Sequence, residues 1–380
     1  MLKSLFQKWR HWRFPYIPLV EITINMSRLL GNLQTFQKID PRVAIAPVLK
    51  SNAYGHGLAL VAKILDTQNL PFLIVDSYYE AVILRNEKIR TPILIIGYTL
   101  IENILKNKLK NVAFTIVSIE QLEEISKNLK TPTDFHLKID TNMHRHGIPP
   151  EQCQKAMSLI RANGSLHLSG ICSHLADSDS TTKEFTENQI KIWNSLTEDW
   201  KKEFPNIKYF HLSNTAGFSY SKNIHANMAR LGIGLYGIDP SADQRFSDLQ
   251  PVLEMKTLIS GAKDLKRGEK VGYGATFEAT KNMRIATIPA GYYEGIDRQL
   301  SNCGFVKIEN TFCPIVGRVS MNIATIDVTN VPHATINTSV TVISKIPSDK
   351  NSIQNNAKLV EKIPYDLMVH IPQTLRRRVV

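Results

Sequence analysis

Across the first two-thirds of the chain, short apolar runs alternate with stretches whose apolar residues recur at helical spacing. That alternation constrains the fold more than any other feature. Eight runs, 43–49, 72–75, 93–96, 113–117, 135–139, 168–173, 209–212 and 232–236, read as strands. Segments such as 57–65, 118–126, 151–162 and 183–197 read as helices between them. Eight strands alternating with helices over roughly 200 residues fit a closed (β/α)8 barrel of the TIM type better than an open sheet. From about position 248 the pattern changes. Runs such as 257–259, 284–288 and 340–343 are separated by turns with few helical periods, as in a mainly β domain. The expected chain is therefore α/β, with a basic and aromatic extension over 1–17, a barrel over 18–247 and a mainly β C-terminal domain over 248–380.

Composition agrees with this reading and narrows the function. A length of 380 residues suits two domains, and 43% hydrophobic with 21% charged residues is typical of a soluble globular protein. No apolar run is long enough to span a bilayer, so no integral membrane segment is expected. The 46 Lys and Arg exceed the 34 Asp and Glu, for a net charge of +12. The lysines are scattered, without zinc-finger spacing or an RNA-binding signature, so nucleic acid is not the expected partner. Four cysteines, Cys153, Cys172, Cys303 and Cys313, form no CxxC pair. That speaks against a zinc ribbon, another metal site or a disulfide scaffold, and for reduced thiols in the cytoplasm. The segment 1–17 carries Lys3, Lys8, Arg10 and Arg13 among Trp9, Trp12, Phe14 and Tyr16, without a secretory signal's apolar core. It reads as an extension or an arm on a partner subunit, with a membrane-surface helix as the alternative.

The chemistry concentrates at the ends of the expected strands. The run Val43 to Leu49 ends in Lys50-Ser51-Asn52-Ala53-Tyr54-Gly55-His56-Gly57, a lysine followed by a glycine-punctuated turn. A lysine at a strand end above an apolar floor, shielded from water, keeps more of its reactive free-amine form. Alone, it could simply cap the strand in water. The ordered run resembles the pyridoxal-phosphate (PLP) lysine motif of alanine racemases, which write lysine, a small residue, Asn, Ala, Tyr, Gly, His and Gly in that order. The resemblance continues in family order from about Pro18 to near the C-terminus.

What the resemblance implies can be given residue by residue. Lys50 holds the cofactor and is one of two catalytic bases. In Leu137-Lys138-Ile139-Asp140-Thr141-Asn142-Met143-His144-Arg145, Arg145 binds the substrate carboxylate, for which a guanidinium offers paired donors. Lys138 matches a lysine that is carbamylated in many members. His174, in Cys172-Ser173-His174-Leu175, stacks on the cofactor ring and leads to the second base. Tyr54, Asn214, Thr215, Gly232 and Ile233 belong to the cofactor and phosphate site. Arg230 faces the ring nitrogen, where it cannot give up a proton. The ring then stays neutral, which favours racemisation over transamination. Tyr273, in Val271-Gly272-Tyr273-Gly274, is the second base, serving the L-alanine face while Lys50 serves the D-alanine face. A free tyrosine titrates near pH 10, so it needs activation, for which His174 backed by Arg230 is the candidate chain. Tyr292 and the Met321 backbone complete the substrate site, and Arg298, Arg318 and Asp179 line its approach. Tyr273, Tyr292 and Met321 reach into the partner's site, which implies a homodimer with shared active sites.

The resemblance thus implies PLP-dependent racemase activity that interconverts L- and D-alanine and, in bacteria, supplies D-alanine for peptidoglycan. A racemase of broader or different amino-acid specificity and a catalytically weakened PLP-binding protein are the alternatives. Two positions depart from the family: Asn322 stands where aspartate usually follows the methionine, and Gln373 or Leu375 stands near the place of a phosphate-binding tyrosine.

Overall fold

The computed structural model describes residues 16–380. Of the extension over 1–17, residues 1–15 lie outside the described residues. The chain divides into two compact units: residues 25–252, and residues up to 24 together with residues 253–378.

The first strand, β1 (Glu21–Ile24), belongs to the second of these units. The unit 25–252 holds eight parallel strands: β2 (Ala44–Pro47), β3 (Leu73–Val75), β4 (Ile93–Ile95), β5 (Val112–Ile116), β6 (Thr133–Lys138), β7 (Leu166–Cys172), β8 (Tyr209–His211) and β9 (Met228–Leu231). Strands β3 to β8 pair in sequence order, and β2 pairs with β9. Two seams close the ring. The Leu49 N–H donates to Ile74 O (2.7 Å), and the Arg230 N–H donates to Ser213 O (3.0 Å). The barrel is thus complete, and the C-terminal ends of its strands converge on one face.

Local sequence explains the connections. In the helix Tyr78–Asn86, the Ser77 side chain and Glu80 form a reciprocal capping box. The helix Ile119–Asn128 starts at Ser118, whose hydroxyl accepts from Gln121 N–H. β3, β4 and β5 are buried along their whole length, as expected of strands covered on both faces.

One expected element changes place. The run 232–236 is a 3-10 turn, Ile233–Tyr236, and the eighth strand is Met228–Leu231 just before it. Arg230 interrupts the apolar pattern of that strand and hides it, although the whole segment is buried. After it, the turn packs tightly at Gly234, where a Cβ would stand 2.6 Å from Thr215 Cγ2 and 2.9 Å from Phe36 Cζ.

The second unit is mainly β. Its six-stranded sheet runs in the order Thr311–Pro314, Phe305–Ile308, Ser339–Ile343, β10 (Leu253–Leu258), β1 and Arg376–Val379. β1 and β10 pair antiparallel with alternating burial. The second sheet pairs Gly261–Leu265, Met283–Ile288 and Ala324–Asp327. Leu265, Val271, Met283, Ile285 and Val316 form an apolar cluster beneath the Tyr273 loop. Among the described residues, no helix is long and apolar enough to cross a membrane.

Gly237 tests the barrel's packing. Its φ is +84°, and a Cβ there would stand 1.9 Å from Gln250 O. Gly237→Ala is expected to destabilise the barrel by about 2–5 kcal/mol, combining left-handed strain and overpacking. A urea midpoint equal to that of wild type would contradict this.

Candidate active site

Lys50 follows β2 at the C-terminal face of the barrel. The chain after it makes an unusual left-handed turn. Ser51, Asn52, Ala53 and Tyr54 all have positive φ, between +51° and +57°, as do Gly55 and Gly57. Sequence reading credits the glycines with this turn, but four non-glycine residues share it. A left-handed conformation costs roughly 1–2 kcal/mol for each such residue, so the surroundings must hold the segment in place. They do so through hydrogen bonds. The Asn52 side chain accepts from Leu58 N–H at the start of the next helix (2.9 Å). Glu80 accepts from Ser51 N–H (2.7 Å) and from Asp76 N–H (2.9 Å). His56 Nδ1 lies 2.9–3.0 Å from the carbonyls of Ala53 and Tyr54.

The turn sends Tyr54 inward, where it is buried, while Lys50 stays partly open. The Lys50 side chain is 38% exposed, and its amine lies 3.6 Å from Asp76 Oδ1. The amine is thus less sheltered than its place at a strand end suggests. Asp76 is an acid the motif reading did not single out, although its position directly after β3 offered a signal. Burial, and Asp76 after it, push the Tyr54 phenol above its ordinary value, so it remains a donor. A Cβ on Gly232 would stand 2.9 Å from Tyr54 Oη and 3.8 Å from Thr215 Oγ1. Two hydroxyls therefore converge on bare backbone, just where Ile233 opens a 3-10 turn, in which the Gly234 N–H donates to Thr215 Oγ1 (3.2 Å) and leaves the Thr215 hydroxyl proton free to point to a ligand. This cradle can hold an anion. Asn214 is committed to the scaffold: its Oδ1 accepts from Ser178 Oγ (2.9 Å) and Gly217 N–H (2.8 Å).

Arg230, in β9, is the electrostatic centre and is only 6% exposed. Nη1 donates to His211 Nδ1 (2.7 Å) and His211 O (3.0 Å). Nη2 donates to Ser173 O (2.8 Å), Leu212 O (2.9 Å) and His174 Nδ1 (3.0 Å). Among the described residues no carboxylate pairs with it, and no acceptor is found for its Nε–H. Because an arginine only donates, His174 Nδ1 must accept, and the His174 proton sits on Nε2. Burial, then Arg230, holds His174 well below its ordinary value. The ring is therefore neutral and offers an N–H. His211, behind Arg230, is a second histidine that motif reading missed. No motif marks it, because its role depends on β8 lying beside β9.

Lys138 ends β6 and pairs in register with Cys172 of β7. Its amine is held below the ordinary lysine value, by burial first and then, against the Cys172 thiol, by Arg230, Arg145 and Lys50. Arg145 stands on the exposed loop that follows. Asp140 orders that loop by accepting from the N–H groups of Met143 (2.9 Å) and His144 (3.1 Å). The structure thus gathers Lys50, Tyr54, Lys138, Arg145, His174, Asn214, Thr215, Arg230, Gly232 and Ile233 on the strand ends and loops of one barrel face; Asp179, exposed, lies on the loop after β7.

Tyr273, Tyr292 and Met321 belong to the second unit, together with Arg298 and Arg318. All three are exposed, Tyr273 by 71%. Gly272 and Gly274, with φ of +74° and +72°, shape the Tyr273 turn. Tyr292 and Met321 share one loop pair, in which Tyr292 N–H donates to Ser320 O (3.0 Å) and Tyr293 N–H to Met321 O (2.8 Å). Asn322 finds its reason here. Its amide donates to Glu294 Oε1 (2.8 Å), while Glu294 Oε2 accepts from Gly291 N–H (2.8 Å). At Gln373, Arg377 clamps the loop through the carbonyls of Pro372 (2.9 Å) and Leu375 (3.0 Å).

A barrel carrying a lysine at a strand end, a hydroxyl-lined cradle and a buried guanidinium, followed by a mainly β unit, defines a class of two-domain barrel enzymes. Comparison with known proteins gives the family. The alanine racemase N-terminal domain matches residues 24–240, and the alanine racemase C-terminal domain matches residues 252–379. An alanine racemase of Methanococcus maripaludis is 34% identical over 361 residues, covering 93% of this chain and 96% of that one. One of Syntrophobacter fumaroxidans is 33% identical, covering 92% and 94%. The solved alanine racemase of Clostridium difficile 630 superposes with a TM-score of 0.88 at 28% identity, covering 96% of each chain. That of Bacillus anthracis with bound L-Ala-P gives 0.87 at 27%, covering 97% and 96%. The chain belongs to the alanine racemase family, a family of isomerases.

The Glu294–Asn322 pair can be tested directly. Asn322→Asp replaces a donor with a second carboxylate beside Glu294. Partial exposure limits the cost to about 1 kcal/mol. Asn322→Asp is expected to lower the thermal midpoint and to change the kinetics; a midpoint and rates identical to wild type would refute this.

Proposed function

We propose that this protein is a PLP-dependent alanine racemase acting on free L- and D-alanine by a two-base mechanism. The observation that carries this reading is the Arg230 guanidinium. It is buried, its Nη donors are taken by carbonyls and imidazoles, and its Nε–H is left for a bound group. A pyridine nitrogen is an acceptor suited to that donor, and the cradle of Tyr54, Thr215 and Gly232 suits a phosphate.

In this reading Lys50 attaches the cofactor. Tyr54, Thr215, Gly232 and Ile233 would hold the phosphate end, with Asn214 able to add only its amide N–H because its Oδ1 is taken by Ser178 and Gly217; His174 would lie against the ring, and Arg230 would donate to the ring nitrogen, which it cannot protonate. When bound, the cofactor would supply an electron-withdrawing ring that acidifies the substrate's α-hydrogen. The chain's own groups do the rest. Arg145 and the Met321 backbone hold the substrate carboxylate, and Tyr292 narrows the approach. The Lys50 amine and the Tyr273 phenol exchange the α-proton on opposite faces of the carbon. His174, whose Nδ1 accepts from Arg230, would offer its Nε2–H to the Tyr273 phenol of a second copy of the chain. Lys138, whose amine is held below its ordinary value by burial first and then by neighbouring cations, would take up carbon dioxide as a carbamate with release of a proton. Exposure of Tyr273, Tyr292 and Met321 supports their use by a second copy of the chain, in a cytoplasmic homodimer with shared sites. The D-alanine formed would serve peptidoglycan synthesis.

Full-length protein mixed with pyridoxal phosphate is expected to gain a visible absorbance band that Lys50→Ala lacks. Loss of the circular dichroism of L-alanine should accompany it, and a panel of amino acids would reveal any broader specificity. Tyr273→Phe should slow racemisation about 10²- to 10⁴-fold. Full-speed conversion of both enantiomers by that variant would overturn the mechanism. An absorbance band without racemisation would mark a PLP-binding protein instead.

A further inference from the structure

Behind Arg230 the hydrogen-bond chain continues to a residue that no motif marks. His211 Nε2 lies 2.7 Å from His136 Nδ1. His136 is fully buried on β6, packed against the rings of Phe72 (centroids 5.3 Å) and Tyr209 (5.8 Å), which also touch each other (5.0 Å). Its own Nε2 is buried without a hydrogen-bond partner among the described residues.

The direction of every proton in this chain follows from one end. Arg230 can only donate, so His211 Nδ1 carries a lone pair. His211 must then bear its proton on Nε2 and donate it to His136 Nδ1. A proton on His136 Nδ1 would face that N–H, so His136 is neutral and protonated on Nε2. Burial, with Arg230 adding to it, agrees by holding His136 down to about 3. His211 is likewise held well below its ordinary value, by burial, then Arg230, His136 and Lys138.

The barrel makes room for this ring. The ladder between β6 and β7 shifts by one residue, pairing Phe135 with Leu168 but His136 with Gly170. A Cβ on Gly170 would stand 2.6 Å from His136 Nδ1. The bulge and the glycine leave the acceptor nitrogen clear to reach His211.

We infer that His136 is a positioning residue for Arg230: its Nδ1 lone pair keeps the His211 proton on Nε2, which leaves His211 Nδ1 to anchor the guanidinium. Removing that acceptor frees His211 to take its proton on Nδ1, where it repels the Arg230 donor and releases the guanidinium. The consequence for turnover rests on the racemase reading above; the proton positions do not.

The test uses full-length protein loaded with pyridoxal phosphate and labelled with ¹⁵N-histidine. In wild type, His136, His174 and His211 should each show a pyridine-type Nδ1 and a protonated Nε2 from about pH 6 to about pH 9. A His211 that is protonated on Nδ1, or charged, would overturn the inference without any variant. His136→Leu should lower kcat for alanine about tenfold to a hundredfold, with KM within about twofold, as expected when a catalytic group is misplaced. His136→Asn, whose Oδ1 can replace the acceptor, should restore kcat to within about threefold of wild type and keep the proton of His211 on Nε2. If both variants lose thermal stability alike while kcat and the His211 signals stay at wild-type values, His136 is only a packing residue and the inference fails. A wild-type protein that does not racemise alanine, yet shows these tautomers, would fail the racemase reading and leave the hydrogen-bond chain intact.

Discussion

Arg230 carries a full positive charge into a place from which water is almost excluded, and three strand ends are arranged around its donors. A buried charge without compensation is among the most expensive features a fold can contain. Here the compensation comes from the carbonyls of Ser173, His211 and Leu212 and from two imidazole nitrogens, with no carboxylate among the described residues. Each acceptor lies at or just beyond the end of β7 or β8, so the guanidinium ties those ends to β9. The same bonds decide that His174 faces outward with an N–H. A carboxylate partner would have neutralised the cation. Carbonyls and neutral rings leave its field directed into the site.

On the strand beside this rigid centre, the Lys50 turn stores strain. Four non-glycine residues in left-handed conformation would not persist in a free peptide. Asn52, Glu80 and His56 supply the bonds that hold them. The result is that two neighbouring side chains point to different tasks. Lys50 stays accessible beside Asp76, and Tyr54 turns beneath the strand end to meet Gly232 and Thr215. A right-handed turn of the same length would direct Tyr54 elsewhere.

The second unit works by exposure. Tyr273, Tyr292 and Met321 stand out from loops that are themselves well anchored, by Gly272 and Gly274 at one turn and by the Glu294–Asn322 pair at the other. Exposed aromatic and sulfur side chains on firm loops suit contact with another surface. Asn322 shows how a departure from a family pattern can be locally consistent: an amide donates to Glu294 where an aspartate could only accept.

Much of this was legible in the order of residues. Periodicity gave the parallel barrel and the β domain because strand and helix patterns depend only on near neighbours. The Lys50, Arg145, His174 and Tyr273 motifs gave the family because each is continuous in sequence. Three things were not legible. The eighth strand was displaced by Arg230, whose charge breaks an apolar pattern. The left-handed path of the Lys50 turn was hidden, since non-glycine residues adopt it only under tertiary restraint. The His136–His211–Arg230 chain joins β6, β8 and β9, and nothing within any one strand announces it. The sequence by itself determined which elements form and which chemical groups the chain carries. Only the closed barrel decided which of those groups meet, because hydrogen-bond direction and burial are properties of neighbours in space, and those neighbours come from strands far apart along the chain.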